Sequence, residues 1–271
     1  MKRKRPARAQ AIQKRKDEKM IDSHAHLHMD AFNEDRDDVV KRAQEAGLTA
    51  LITIGTSVAD SEMAVETAMR YNFVYASAGV HPHEVKDMDA STVDSLRELA
   101  RREKIVAIGE IGLDFYYLHS PKELQFHHFA DQLDLAVELD LPVIIHDRDA
   151  HRETMEFFEY RKGRLRGVLH CFSGDMEMAS RCVDLGFYIS IAGPVTYKKS
   201  EQLQHIAKQM PVETLLVETD APYLAPQPWR GKRNEPAYVV ETARRVAELR
   251  GVSLAELEEA TEQNTRRLFS F

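Results

Sequence analysis

The sequence predicts a single-domain α/β fold, a (β/α)8 TIM barrel. Eight short apolar runs, rich in β-branched residues, alternate with amphipathic helical patterns along nearly the whole chain. The length of 271 residues suits one such barrel, whose usual size is about 250 residues. Polar residues able to bind a metal recur where the apolar runs end. An open doubly wound sheet shares the alternation. It would, however, scatter the ends of its first, fourth, fifth, sixth and eighth strands, whereas a barrel gathers them at one mouth.

Strands are expected at Met20–Asp22, Ala50–Ile54, Phe73–Ala78, Ile105–Ile108, Leu141–Ile145, Gly167–Leu169, Phe187–Ile191 and Thr214–Val217. The first helical pattern, Asp37–Ala46, stops at Gly47, a residue suited to the left-handed end of a helix. Ala59–Arg70 and Thr92–Arg102 follow. Pro121–Asp140 opens with Ser120-Pro-Lys-Glu123, a serine cap with Pro in the first turn and Glu third. Asp149–Arg161, Met176–Leu185, Ser200–Gln209, Pro236–Arg250 and Ser253–Leu268 complete the set, and Ser253-Leu-Ala-Glu256 is a second capping box.

A hydrophobic share of 43% and a charged share of 30% are ordinary for a globular protein and supply a large core. No apolar run is long enough to span a membrane, and no hydrophobic segment follows the basic N-terminus as in a secretory signal. Cys171 and Cys182 read as two reduced, packed thiols of a cytoplasmic protein rather than a disulfide framework. Residues 1–19 hold nine Lys or Arg against two acids, so with −7 overall the remaining residues carry −14. Residues 1–19 are expected to be a disordered basic arm, with the ordered domain at 20–271. The arm is either a nucleic-acid or localisation tail or sequence upstream of a true start at Met20. The second is favoured, because the ordered pattern begins there. An acidic body disfavours broad binding to nucleic acid, so any such substrate must be held locally.

The chain centres on Ile21-Asp-Ser-His-Ala-His26. Residues i and i+2 of a strand share a face, so His24 and His26 project together, and neutral imidazole is the commonest protein metal ligand. Glu110 follows the fourth strand, His146 the fifth, His170 the sixth and Asp220 the eighth. Any one of these could be a satisfied core residue, a cap or an ion-pair partner. Four histidines and two carboxylates at the same end of the strands point instead to a shared site. Imidazole mixed with carboxylate suits Zn²⁺, Mn²⁺ or a similar divalent ion. Six ligands exceed one four-coordinate site and suit two ions sharing a carboxylate.

These residues resemble the TatD family of metal-dependent deoxyribonucleases, within the amidohydrolase superfamily. The motifs are Met20-Ile-Asp-Ser-His-Ala-His26, Gly79-Val-His-Pro-His83, Gly109-Glu-Ile-Gly-Leu-Asp114 and His146-Asp-Arg148. They continue with His170-Cys-Phe-Ser-Gly174, Glu218-Thr-Asp-Ala-Pro-Tyr-Leu224 and Arg230-Gly-Lys-Arg-Asn-Glu-Pro236, and the basic arm has no counterpart. The resemblance implies a first ion on His24, His26, Glu110 and Asp220. It implies a second on Glu110, His146 and His170, two divalent ions per chain (Zn, Mn, Mg or similar). Catalysis would rest on Asp220 and Glu110, with Asp220 as general base and a metal-bridging hydroxide attacking a phosphodiester. The expected activity is a 3′–5′ deoxyribonuclease acting on DNA ends. The alternatives are a metal-dependent ester or amide hydrolase, such as a D-aminoacyl-tRNA deacylase, and a non-catalytic metal-binding barrel, against which Asp220 speaks. Substrate contacts are expected from His83, Arg148, Arg230 and Arg233, with His81 near the same mouth. Tyr116, Tyr117 and Trp229 offer stacking faces for bases.

Overall fold

The computed structural model describes residues 19–271, so the expected basic arm lies outside the described residues except for Lys19. Among the described residues are eight strands: β1 (Met20–Ala25), β2 (Leu48–Ile54), β3 (Val74–Ala78), β4 (Ile105–Asp114), β5 (Val143–Arg148), β6 (Gly167–Leu169), β7 (Phe187–Ile191) and β8 (Leu215–Val217). They pair in sequence order, each parallel to the next. The ring is drawn shut beyond β8. There Asp220 N–H donates to the His24 carbonyl (2.8 Å), His26 N–H donates to Ala221 O (2.7 Å), and Ala25 bridges Ala221. The expected barrel, rather than the open sheet, is what forms.

The helices are α1 (Arg36–Glu45), α2 (Val58–Arg70), α3 (Thr92–Leu99), α4 (Lys122–Leu139), α5 (His151–Tyr160), α6 (Met176–Asp184), α7 (Glu201–Gln209), α8 (Val239–Arg250) and α9 (Leu254–Phe269). Side chains alternate across each strand. One set, including Leu51, Val143, Ile145, Leu169 and Val217, packs with helical residues such as Val39, Leu96, Phe129 and Leu133. The other set, Ile52, Ile54, Val106, Ile144, Val168 and Leu216, forms a separate cluster with Leu268 and Phe269 of α9. Phe271 stacks on Tyr75 beside it, ring centroids 4.0 Å apart. Two positions further along, the aliphatic row turns polar: Ile144 is followed by His146, Val168 by His170, and Leu216 by Glu218, with Asp220 two residues beyond. One face of the barrel wall therefore supplies both floor and site.

Three strands run past their expected ends. β1 continues through His24, β4 through Glu110 to Asp114, and β5 through His146 to Arg148. Polar side chains do not stop a strand when the interior supplies partners. Here the ladder continues, Gly112 opposite His146 and Asp114 opposite Arg148. Gly112 is required at that crossing, because a Cβ there would lie 1.9 Å from the His146 carbonyl oxygen. The lengthening of β5 delays α5 to His151, and Pro236–Tyr238 form a 3-10 turn ahead of α8.

The expected serine cap at Ser120 does not form. Pro121 precedes α4 with no side-chain cap bond. The Ser120 hydroxyl instead donates to the His83 carbonyl (2.8 Å) and accepts from Lys86 N–H (3.2 Å), tying the loop after β3 to the start of α4. The Ser253–Glu256 capping box is complete. Gly47, with φ 94°, follows α1 as its neighbours require. Both cysteines are free, and no helix among the described residues is long and apolar enough to cross a membrane.

Candidate metal centre

Glu110 stands at the middle of the mouth, 3% exposed, and its two carboxylate oxygens face different partners. Oε2 lies 3.4 Å from His24 Nε2 and 3.9 Å from His26 Nε2. Oε1 lies 2.9 Å from both His146 Nδ1 and His170 Nε2. Asp220 Oδ1 completes the first group, 3.7 Å from His24 Nε2 and 3.6 Å from His26 Nε2. All six residues expected to bind metal thus converge, from five strands.

The donor set fits divalent ions. His24 Nε2 is fully buried and has no hydrogen-bond partner, which is costly unless something else occupies its lone pair. A tetrahedral shell with metal–ligand bonds of ~2.0–2.1 Å sets its donors about 3.3 Å apart, close to the spacing around His24. Ring orientation agrees. His26 Nδ1 lies 3.0 Å from the Ile54 carbonyl, so Nδ1 carries the proton and Nε2 presents its lone pair to Asp220 and Glu110. Glu218 backs His170, 3.4 Å from its Nδ1, while accepting from Cys171 N–H at 2.7 Å.

Burial and neighbouring charge compete at each titratable group of the site. Burial alone would raise Glu110, but the charges of His170 and His81 and the hydrogen bonds from His146 and His170 outweigh it, holding the carboxyl well below its usual range. Burial likewise disfavours the Asp220 anion, yet His26 and the other imidazoles leave it lowered. Burial opposes a proton on His170, while Glu110 and Glu218 draw it up well above normal. The attraction that holds a proton between those groups is the one that holds a metal cation.

Comparison with known proteins places the chain in a family. A family model described as TatD related DNase matches residues 21–270. The chain belongs to the TatD-related DNase family. It is 38% identical over 251 residues to the uncharacterized metal-dependent hydrolase YabD of Bacillus subtilis, covering 92% of this chain and 98% of that one. It is 40% identical over 256 residues to the 3′-5′ ssDNA/RNA exonuclease TatD of Escherichia coli, covering 92% and 98%. The structure of YjjV, a TatD homologue from Escherichia coli, superposes with a TM-score of 0.89 at 31% identity, over 93% of this chain and 98% of that one.

Around the Glu110 cluster lie two cavities of about 510 and 520 Å³ that share His146, Arg148, His170, Asp220 and Leu224. Arg148 lies over the rings of Tyr116 (4.1 Å) and Tyr117 (4.6 Å) and faces both cavities. His83 and His81 line the second cavity. The His83 backbone N–H donates to His81 Nδ1 at 3.1 Å, which leaves the proton of a neutral His81 on Nε2, 3.4 Å from Glu110 Oε1. Burial first, reinforced by His146 and His83, pushes His81 down to about 4, so the ring is neutral at physiological pH. In this tautomer its Nε2–H points toward Glu110, and the ring also stands in a group with Glu110 and His146 able to hold a metal ion.

Arg230 and Arg233 line neither cavity. Arg230 lies 4.4 Å over the Tyr197 ring. Arg233 pairs with both Asp35 oxygens (2.8 and 2.7 Å) and donates to the Ala31 carbonyl (2.7 Å). Trp229 stacks on Tyr238 at 4.1 Å. Residues not singled out from the sequence are Asp114, Glu218 and Tyr223. The signal for Asp114 was its spacing. Four residues beyond Glu110 on one strand, it shares the inward face once β4 is known to continue.

Proposed function

We propose that the protein is a divalent-metal-dependent phosphodiesterase acting as a 3′–5′ exonuclease on single-stranded nucleic-acid ends, DNA among them. The observation that carries this is Glu110, whose two oxygens serve two separate sets of donors. His24, His26, Glu110 and Asp220 would hold one ion, and Glu110, His146 and His170 the other. When bound, such ions activate water and neutralise charge on a transferring phosphoryl group. Zn, Mn and Mg all accept donors of this kind.

Asp220 is the general base. It is ionised, 9% exposed, and faces both cavities, so its carboxylate can take the proton that the attacking water gives up. His81 offers an N–H at the mouth to a non-bridging phosphate oxygen. Arg148 supplies the positive charge that both cavities share. Tyr117 and Tyr223, each about half exposed, flank the second cavity and give unpaired bases faces to stack on. An acidic body with this local recognition suits a strand end better than a long duplex.

The test is a metal-reconstituted assay in which single-stranded DNA, duplex DNA, RNA, D-aminoacyl-tRNA and model esters are offered side by side. Shortening of single strands from the 3′ end, abolished by chelation while the fold persists, is the expected result. Turnover of aminoacyl-tRNA or esters with no polynucleotide cleaved would replace this reading with the ester-hydrolase alternative.

A further inference from the structure

Asp114 ends β4 with 0% exposure in the wall of the second cavity, and it is not among the six residues expected to bind metal. Its carboxylate meets four donors. Oδ1 accepts the backbone N–H groups of Tyr116 (3.0 Å) and Tyr117 (2.9 Å). Oδ2 lies 2.9 Å from His83 Nε2 and 3.0 Å from His146 Nε2. The residue itself is clamped. Its N–H donates to Gln125 Oε1 (2.8 Å), and Gln125 Nε2 donates back to its carbonyl (3.0 Å) and to that of Ser120 (2.9 Å). Ser120 in turn holds the His83 carbonyl at 2.8 Å.

This geometry dictates proton positions. An ionised carboxylate only accepts, so both imidazoles must present N–H at Nε2. A neutral His146 then carries its lone pair at Nδ1, the atom 2.9 Å from Glu110 Oε1 and 3.4 Å from His170 Nε2. We infer that Asp114 is a positioning residue for two partners at once: it fixes His146 as an Nδ1 metal ligand and fixes the His83 ring at the substrate mouth. Outer carboxylates that orient ligating imidazoles contribute about 10–100-fold to metal affinity. Here the same oxygen also sets a group that lines the substrate cavity, which links metal binding to substrate binding through one side chain. The inference rests on the reading of His146 as a ligand.

Asn is an informative replacement because neither of its orientations works. With its oxygen toward the histidines, its NH₂ meets the backbone N–H groups of Tyr116 and Tyr117. Turned over, its NH₂ meets the imidazoles and drives the His146 proton onto Nδ1, where it competes with the metal.

The experiment titrates Zn²⁺ against a chromophoric chelator in wild type, Asp114→Asn, His83→Gln and His146→Ala. It also records the long-range ¹H–¹⁵N spectrum of the histidine rings in the zinc-loaded wild type. Asp114→Asn is expected to weaken one of two zinc equivalents about 10–100-fold and to raise KM for a short single-stranded oligonucleotide. His83→Gln should raise KM while both zinc equivalents keep their affinity. Wild-type His146 should show a protonated Nε2. If His146→Ala leaves both equivalents intact, the ligand reading itself fails. If His146→Ala loses one equivalent but Asp114→Asn keeps both, only the positioning role is overturned. Should Asp114→Asn not fold, the ring spectrum still decides: a wild-type His146 with its proton on Nδ1 contradicts the inference.

Discussion

The two ends of the barrel interior are made from the same strand faces and do opposite work. At the floor, Ile52, Val106, Ile144, Val168 and Leu216 pack against Leu268 and Phe269 and contribute nothing but buried apolar area. At the mouth, two to four residues further on, the same rows deliver His146, His170, Glu218 and Asp220, polar groups that cost free energy to take out of water. The floor holds the wall at a fixed diameter. The mouth holds buried carboxylates and imidazoles side by side, Glu110 against His146 and His170 and Asp220 beside His26. Stability and chemistry are thus separated along one axis, and substitutions at each end should fail in different ways.

The largest effect is expected at the mouth. Asp220→Asn keeps size and one ligating oxygen but removes the base at neutral pH. Its kcat should fall ~10²–10⁴-fold, with the melting temperature and much of the metal retained. Near-normal single-turnover cleavage with metal bound would show that Asp220 only braces the rim. At the floor, Phe269→Ala removes a ring that is 3% exposed. The expected cost is about 3–5 kcal/mol of unfolding free energy, measured by denaturant titration, while the folded fraction keeps its metal stoichiometry and kcat. A Phe269 variant that stays stable but loses metal would mean that the two ends are not separable.

The smallest effect is expected outside both ends, at Arg233. Its guanidinium is committed to Asp35, whose carboxyl it holds down to about 2 against an ordinary 3.8. A depressed acid contributes stability above its unfolded pKa and loses it as pH falls through the folded one. Arg233→Ala should therefore cost less than about 1 kcal/mol near neutral pH. The difference from wild type should fade as pH drops from about 4 to about 2, the window set by that shift. KM for a DNA end should change little. A clear rise in KM without loss of stability would return this loop to the substrate site.

Much of the fold was legible because it depends on local pattern. Alternating apolar runs located all eight strands, and the candidate ligands stood out because each interrupts an apolar row. What escaped depends on partners far apart in the chain. Asp114 looks like any acid after an apolar run until His83 and His146 are seen to share its oxygen. Arg233 looks like a free cation until Asp35, near the other end of the chain, is found against it. Ser120 matches a helix cap in sequence, but the His83 carbonyl competes for its hydroxyl. β4 and β5 run past the polar residues that suggest their ends in sequence, because inside a barrel polarity marks a change of content along a continuing strand.

The central claim is that one carboxylate, Glu110, serves two ions. Metal analysis of Glu110→Gln beside His170→Ala, each at matched total protein and compared with wild type, tests it most directly. The account predicts that Glu110→Gln lowers occupancy at both positions, because each of its oxygens faces a different donor group, whereas His170→Ala empties mainly the one shared with His146. Full occupancy of two ions in Glu110→Gln would contradict it.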